Sequence, residues 1–441
     1  MLTLNMNKID FLLDKAKALK GLSPEEAEFL LLCNDFDTQC RVIEAAKFVK
    51  QAIYGRRIVL FAPLYVSNEC DNNCLYCGFQ KSNKDSERKT LTSSEILQET
   101  KALIDKGVKR ILLVSSESSK FTLDNLIEAI ECCYSAKTEK GEIRRINVNV
   151  APLSTENFKI LKKAKIGTYQ VFQETYNRDV YSKMHPSGKK SDYKFRYEAP
   201  FRALEAGIGD VGMGVLFGLS DPVSEVKALL KHIEEMVKIY GIGPHTISVP
   251  RIKPAKGAKL SFNPPYKISD DFFTYLIAVL RIAVPYTGII LSTRETQELR
   301  DKLFGVGVSQ ISAASSTTPG GYINSGDKIL SQFTTSDERS LEEVVIKLCE
   351  SGHIPSFCTA CYRKGRVGED FMDLAKDGTI KNFCDKNALL SFAEYAINFL
   401  NSDKQDFVKA FIKDVAKKEM QDQHFNKLLD KVFAGEKDVF I

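Results

Sequence analysis

The residues of this chain best suited to chemistry are cysteines in two groups of three. CDNNCLYC puts Cys70, Cys74 and Cys77 within eight residues, and no histidine or further cysteine lies beside them. Far downstream, SFCTACYRKGRVGEDFMDLAKDGTIKNFC carries Cys358, Cys361 and Cys384, spaced C-x2-C-x22-C. Thiolates bind zinc and iron–sulfur clusters. A closed structural zinc site takes four ligands. Three thiolates instead bind three irons of a four-iron cubane and leave the fourth open to an exogenous chelate. The competing reading joins Cys74–Cys77 and Cys358–Cys361, two C-x2-C pairs, into one four-thiolate zinc site; it leaves Cys70 without a role. The other five of the eleven cysteines, Cys33, Cys40, Cys132, Cys133 and Cys349, sit in apolar helical stretches and are expected to be buried thiols.

Something must hold these trios in place. Strands are expected at 58–67, 111–117, 146–152, 168–175, 210–219, 245–252, 288–295 and 310–317, where β-branched and aromatic residues cluster. Amphipathic segments with helix-start signals separate them: Thr92 followed by Glu95 is a capping box, and Asp221-Pro222 pairs a cap with a first-turn proline. Eight strands alternating with helices predict a parallel (β/α)8 barrel of α/β class. An open doubly wound sheet is the alternative, but no G-x-G-x-x-G follows the first strand. The expected organisation is a helical extension over 1–56, the barrel over 57–340, and a small, mostly helical cysteine-bearing domain over 341–441. Catalytic residues of such barrels lie after the C-terminal ends of strands, and Cys70, Cys74 and Cys77 follow the first.

Composition narrows the class. The 441 residues carry a net charge of only +5, with scattered lysines and arginines, which argues against nucleic acid as a partner. No apolar run approaches the ~20 residues that span a bilayer, and the N-terminus lacks the continuous apolar core of a signal peptide. A cytoplasmic location is expected, where thiols stay reduced.

C-x3-C-x2-C with an aromatic residue before the last cysteine, after the first strand of a barrel, resembles the radical S-adenosylmethionine (SAM) superfamily. The resemblance implies a 4Fe–4S cluster on Cys70, Cys74 and Cys77, with SAM on the open iron and Tyr76 against the adenine. The family's small-residue stretch after the second strand, which receives the SAM amino group, is represented by Ser115, Ser116 and Glu117 in place of paired glycines. The strings HPSGKKSDY, GPHTISVPR, LSTRET and PGGY, with the C-x2-C-x22-C tail, are similar to the aromatic amino-acid lyase branch. That branch includes tyrosine lyases of thiazole assembly and of FeFe-hydrogenase maturation, and the second trio marks the maturation enzymes.

What this implies is a carbon–carbon lyase that cleaves L-tyrosine at Cα–Cβ to p-cresol and dehydroglycine. A second 4Fe–4S cluster on Cys358, Cys361 and Cys384, carrying an additional iron, would turn dehydroglycine into carbon monoxide and cyanide. An electron donor and hydrogenase maturation proteins are the implied partners. For the tyrosine carboxylate, LSTRET offers Ser292, Thr293 and Arg294, with Arg300 in the following helix, although Arg294 could instead pair with Glu295. Glu174, Tyr176 and Arg196 are further candidates for SAM or tyrosine contacts. His245 takes the place of a family ligand to the additional iron, against a plain strand-capping role; its position at the start of a strand, not the end, speaks for the latter. Two alternatives stand beside the maturase: a single-cluster lyase supplying thiazole assembly, and a zinc-stabilised scaffold without activity.

Overall fold

The computed structural model describes residues 2–324, 331–376, 378–420 and 422–441. Eight parallel strands close into a barrel: β1 (Arg57–Ser67), β2 (Arg110–Ser115), β3 (Arg145–Asn149), β4 (Thr168–Gln170), β5 (Asp210–Gly214), β6 (Thr246–Ser248), β7 (Gly288–Leu291) and β8 (Gln310–Ser312). Closure is made by β8 against β1, Leu60 opposite Ile311. All eight expected strands are present, most of them shorter at the C-terminal end. Beyond Gln170, for example, the pairing with β5 continues irregularly, through hydrogen bonds from Val171 and Gln173 N–H to the Gly212 and Gly214 carbonyls and an isolated bridge between Glu174 and Val215.

Side-chain alternation explains why the barrel is hollow. On β1, Leu60, Ala62, Leu64 and Val66 belong to the apolar core, while Phe61, Pro63 and Tyr65 line an interior cavity. On β2, Ile111 and Leu113 face the core, and Leu112 and Val114 the cavity. The interior set continues with Asn149, Gln170, Ser248 and Ser312. Most barrels of this class fill that space with branched apolar residues; here short polar ones leave it open.

Helix starts follow the capping signals. Ser23 with Glu26, Thr92 with Glu95 and Ser340 with Glu343 form reciprocal capping boxes. The N-terminal helices pack on the barrel's outer helices: Phe36–Tyr54 lies against Asp270–Ala283, and Tyr275 donates to the Leu30 carbonyl at 2.6 Å. Gly241 ends helix Pro222–Tyr240 with φ of +73°, a left-handed cap that glycine adopts without strain. Among the described residues no helix is long and apolar enough to cross a membrane.

The C-terminal region is helical but also adds a strand that the sequence did not announce. β9 (Ile354–Ser356) pairs in parallel with the first residues of β1, Arg57 opposite Ile354. It carries Cys358 beneath the N-terminal end of the barrel. A buried ion pair, Arg57 to Asp385 at 2.9 Å, and another from Arg144 to Glu394 at 2.7 Å fasten helix Ile380–Phe399 there.

Three of the five remaining cysteines differ from expectation. Cys133 and Cys349 are buried, but Cys33, Cys40 and Cys132 are only half-buried. Cys33 lies past the end of helix Pro24–Leu31.

Arg300, expected near substrate, is instead a scaffold residue. Its side chain is wholly buried and engaged by Asp337 and by the Ser312 carbonyl at 2.5 Å, outside the cavity. Removing one partner of a buried pair strands the other charge. Asp337→Ala is therefore expected to destabilise the protein by about 3–5 kcal/mol, seen as a lower urea midpoint at unchanged slope, whereas Asp271→Ala in the exposed Lys302 pair should shift it negligibly.

Candidate active site and second cysteine centre

After β1 the chain enters an irregular loop that its own polar groups hold in shape. Asn68 donates to the Glu87 carbonyl at 2.7 Å and accepts from Lys89 N–H at 2.6 Å. The Arg88 guanidinium donates to the carbonyls of Asn68, Phe79 and Gln80. Leu75 N–H donates to the Met184 carbonyl and Gly78 N–H to that of Gln332, both at 3.1 Å. Cys70, Cys74 and Cys77 thereby all line the cavity, of about 210 Å³, at the C-terminal mouth of the barrel. Burial raises all three thiols, Cys74 to about 12 and Cys77 to about 11. The free thiols therefore hold their protons until a metal displaces them. Three cysteines on an irregular loop at a cavity wall fit a polynuclear cluster with one open position.

The cavity gathers most of the expected site. Tyr76, Ser115, Ser116, Glu117, Glu174, Arg196, Ser292, Thr293 and Arg294 all line it. Ser116 donates to the Glu69 carbonyl at 2.6 Å, and Glu117 accepts from Asn72 at 2.8 Å. Both tie the end of β2 to the cysteine loop. Glu174 sits at φ +71°, a conformation that costs a non-glycine residue energy and clusters at functional sites. Lys190 lies 2.5 Å and Arg196 3.6 Å from its carboxylate. Burial alone pushes that carboxyl up, but the two cations outweigh it and hold it below its usual value. Tyr76 shares a 2.8 Å hydrogen bond with His185, whose other ring nitrogen meets the Tyr181 carbonyl at 2.8 Å. Burial draws the His185 pKa down to about 3, so the ring is neutral.

Arg294 does not pair with Glu295, which is engaged by Arg251 and by Lys253 at 3.2 Å. Its guanidinium stacks over Phe333, 3.3 Å from the ring centroid, and no carboxylate pairs with it among the described residues. It is a half-buried cation facing a cavity. Tyr176, by contrast, does not line that cavity: its hydroxyl is turned away into a 2.9 Å hydrogen bond with His232. Lys190, Asn72, Lys253, Gln332 and Phe333 line the cavity without having been singled out in the sequence. Of these, Asn72 lay in the quoted string CDNNCLYC and Lys190 in HPSGKKSDY.

The second trio lies at the opposite end. Arg110, the first residue of β2, donates to the Cys358 carbonyl at 2.7 Å, whereas Glu117, past the other end of β2, accepts through its carbonyl from Asp71 N–H beside Cys70. Seven residues of extended chain separate these anchors by roughly 20 Å. The single zinc site joining the two C-x2-C pairs is therefore impossible.

Cys361 and Cys384 share a hydrogen bond that pushes Cys361 up and draws Cys384 down. Both pack with Phe371 and Ile380. His245 faces this centre: its ring lies 4.5 Å from Phe371, and its Nδ1 is buried without a hydrogen-bond partner, 3.7 Å from Asp210. The start of β6 and the second trio thus share one end of the barrel. Arg110, Arg145, Thr168, Thr246 and Tyr362 also carry buried polar atoms without partners there. The Arg145 guanidinium lies 3.1 Å from the Tyr362 ring centroid. A centre this rich in unsatisfied buried donors is suited to holding a polar or anionic group.

Two family models match the chain: the radical SAM superfamily over residues 64–233 and the Biotin and Thiamin Synthesis associated domain over residues 248–354. The 2-iminoacetate synthase of Salmonella typhimurium is 32% identical over 336 residues, 76% of this chain and 84% of that protein. Among solved structures, a HydG described as a maturase of the FeFe-hydrogenase is 44% identical with a TM-score of 0.95, covering 99% of this chain and 95% of its own. HydG from Carboxydothermus hydrogenoformans is 42% identical with a TM-score of 0.85, over 97% of this chain and 94% of its own. The chain belongs to the radical SAM superfamily and, within it, to the aromatic amino-acid lyase family that includes HydG.

Proposed function

We propose that this protein is a cytoplasmic L-tyrosine lyase of hydrogenase maturation. It cleaves tyrosine at Cα–Cβ to p-cresol and dehydroglycine, and the dehydroglycine becomes carbon monoxide and cyanide at a second centre for the FeFe-hydrogenase active site. The observation that carries this reading is two three-cysteine centres at opposite ends of one barrel that encloses a cavity at its mouth.

The superfamily implies a 4Fe–4S cluster and SAM, which fit Cys70, Cys74 and Cys77 and the cavity beside them. When bound, they supply a 5′-deoxyadenosyl radical at the mouth, and a second cluster, with an additional iron, supplies the site of carbon monoxide and cyanide formation. Tyr76, Ser115, Ser116, Glu117, Glu174 and Arg196, which line the cavity, would hold SAM. Arg294, with Ser292 and Thr293, takes the tyrosine carboxylate, its unpaired guanidinium offering a charge-assisted hydrogen bond and its stacking on Phe333 fixing the angle. Cys358, Cys361 and Cys384 hold the second cluster, and the His245 Nδ1 suits the additional iron. The enclosed barrel keeps water from the reacting atoms and gives dehydroglycine an interior route. The electron donor and the hydrogenase maturation proteins are its partners.

The 2-iminoacetate synthase relatives favour a second reading, a lyase supplying dehydroglycine for thiazole assembly. Against it stand the second trio and the HydG likeness over 99% of the chain, which takes in the cysteine-bearing tail.

Reduced protein incubated with SAM and tyrosine is expected to yield p-cresol, carbon monoxide and cyanide. Cresol alone would return the thiazole reading. Cys361→Ala should keep cresol formation within a few-fold and abolish carbon monoxide, measured by its transfer to deoxyhaemoglobin. Arg294→Gln should raise KM for tyrosine roughly 10- to 100-fold, the worth of a charged hydrogen bond, while SAM binding by equilibrium dialysis stays unchanged.

A further inference from the structure

The face outside the first cysteine loop carries six lysines that have no ion-pair partner among the described residues. Lys81 follows Gln80 in that loop, and its N–H donates to the Asn72 carbonyl at 2.8 Å. Lys84 adjoins Asn83, whose amide donates to the carbonyl of Lys256 at 2.8 Å, so Lys256 and then Lys259 come to the same rim. Lys183 adjoins Met184, which accepts from Leu75 N–H, and Lys189 adjoins Gly188. Gly188 lies so close to the loop that a Cβ would meet the Asn72 Cα at 2.8 Å. All six are exposed.

The carboxylates on this face are fewer. Glu69 is held by Lys120 at 3.3 Å, Asp71 caps Ser119 N–H and Asp192 caps Phe195 N–H, which leaves Asp85 and Glu87. Leu75, next to Cys74, is half-buried and belongs to one apolar cluster with Met184 and Leu260, the neighbours of Lys183 and Lys259. Phe262 and Tyr266, 62% and 45% exposed, extend the apolar surface beyond Leu260. An apolar centre with a ring of one charge sign is the pattern of a steered protein contact. No partner is needed here for tyrosine or SAM, which enter the cavity. What does need access to Cys74 from outside is an electron.

We propose that this lysine-ringed face is the docking surface for a small acidic one-electron carrier protein, seated over Leu75. The transfer is one electron from the reduced carrier to the oxidised cluster on Cys70, Cys74 and Cys77, with no bond made or broken. The proposal deepens the reading above, since it rests on that trio carrying a cluster.

The test compares two reductants on the reconstituted full-length protein: a reduced acidic ferredoxin and photoreduced 5-deazariboflavin, a small molecule with no docking requirement. The readout is the SAM-sensitive electron paramagnetic resonance signal of the reduced first cluster, independent of tyrosine turnover. Lys81→Glu, Lys183→Glu, Lys189→Glu and Lys259→Glu combined should slow ferredoxin-driven reduction about 10-fold or more at low salt and remove its salt dependence. The deazaflavin rate should be unchanged. The matching glutamine variant should fall between, and Lys101→Glu with Lys159→Glu, on outer helices, should behave as wild type.

Ferredoxin binding measured by calorimetry on the same variants should weaken in parallel. Unchanged ferredoxin kinetics after charge reversal, or equal slowing with both reductants, would overturn the docking surface. Absence of iron from the wild-type protein would overturn the parent reading as well.

Discussion

The direction of the strands is the constraint on which the rest depends. In a parallel barrel every chain segment that follows a strand emerges at one end and every segment that precedes one lies at the other. Cys70, Cys74 and Cys77 follow β1 and are committed to the mouth. Cys358 follows β9, but β9 pairs with the first residues of β1, Arg57 to Val59, so it delivers its cysteine to the floor. One short strand thus converts two similar trios into two centres with different neighbours. Alternation along each strand does the rest, turning Phe61, Pro63, Tyr65, Gln170 and Ser312 into the space between them.

Charge is what distinguishes the two ends. At the mouth Arg196 is buried, Lys190 and Arg294 are half-buried, and Glu174 is paired with the first two. Burying cations is costly unless they are matched, so the excess positive charge creates a place where carboxylates of small ligands are stabilised. At the floor, Arg110 and Arg145 lie near Tyr362, and their Nε atoms lack partners. The carboxylate nearest His245, Asp210, accepts from Gly368 N–H at 3.2 Å. Burial lowers the His245 pKa, leaving an imidazole free to act as a donor of electrons to a metal and not as a cation.

Local signals were legible and distant ones were not. The first cysteine loop, the capping boxes and the positions of all eight barrel strands follow from residue spacing within a few turns of chain. Strand lengths do not, because a strand ends where its neighbour's hydrogen bonds end. Arg294 and Arg300 could not be separated by sequence: both follow β7, six residues apart. The structure separates them through Asp337, which lies 37 residues beyond Arg300 and claims its guanidinium. Tyr176 was misjudged for the same reason, since His232, 56 residues away, takes its hydroxyl inward.

His245 shows how a correct objection dissolves. Its place at the start of β6 argued against a metal role while the second trio's location was unknown. That argument assumed that chemistry belongs at the C-terminal ends of strands, which holds when a barrel has one centre. Here residues 354–384 bring a second centre to the other end, and Gly368 and Phe371 in that segment close directly on Asp210 and His245. A residue at the start of a strand is thereby placed beside the second trio, with its Nδ1 unpartnered. The floor's unsatisfied polar atoms, on Thr168 and Thr246 as well as His245, come from the starts of β4 and β6, the two strands that flank β5.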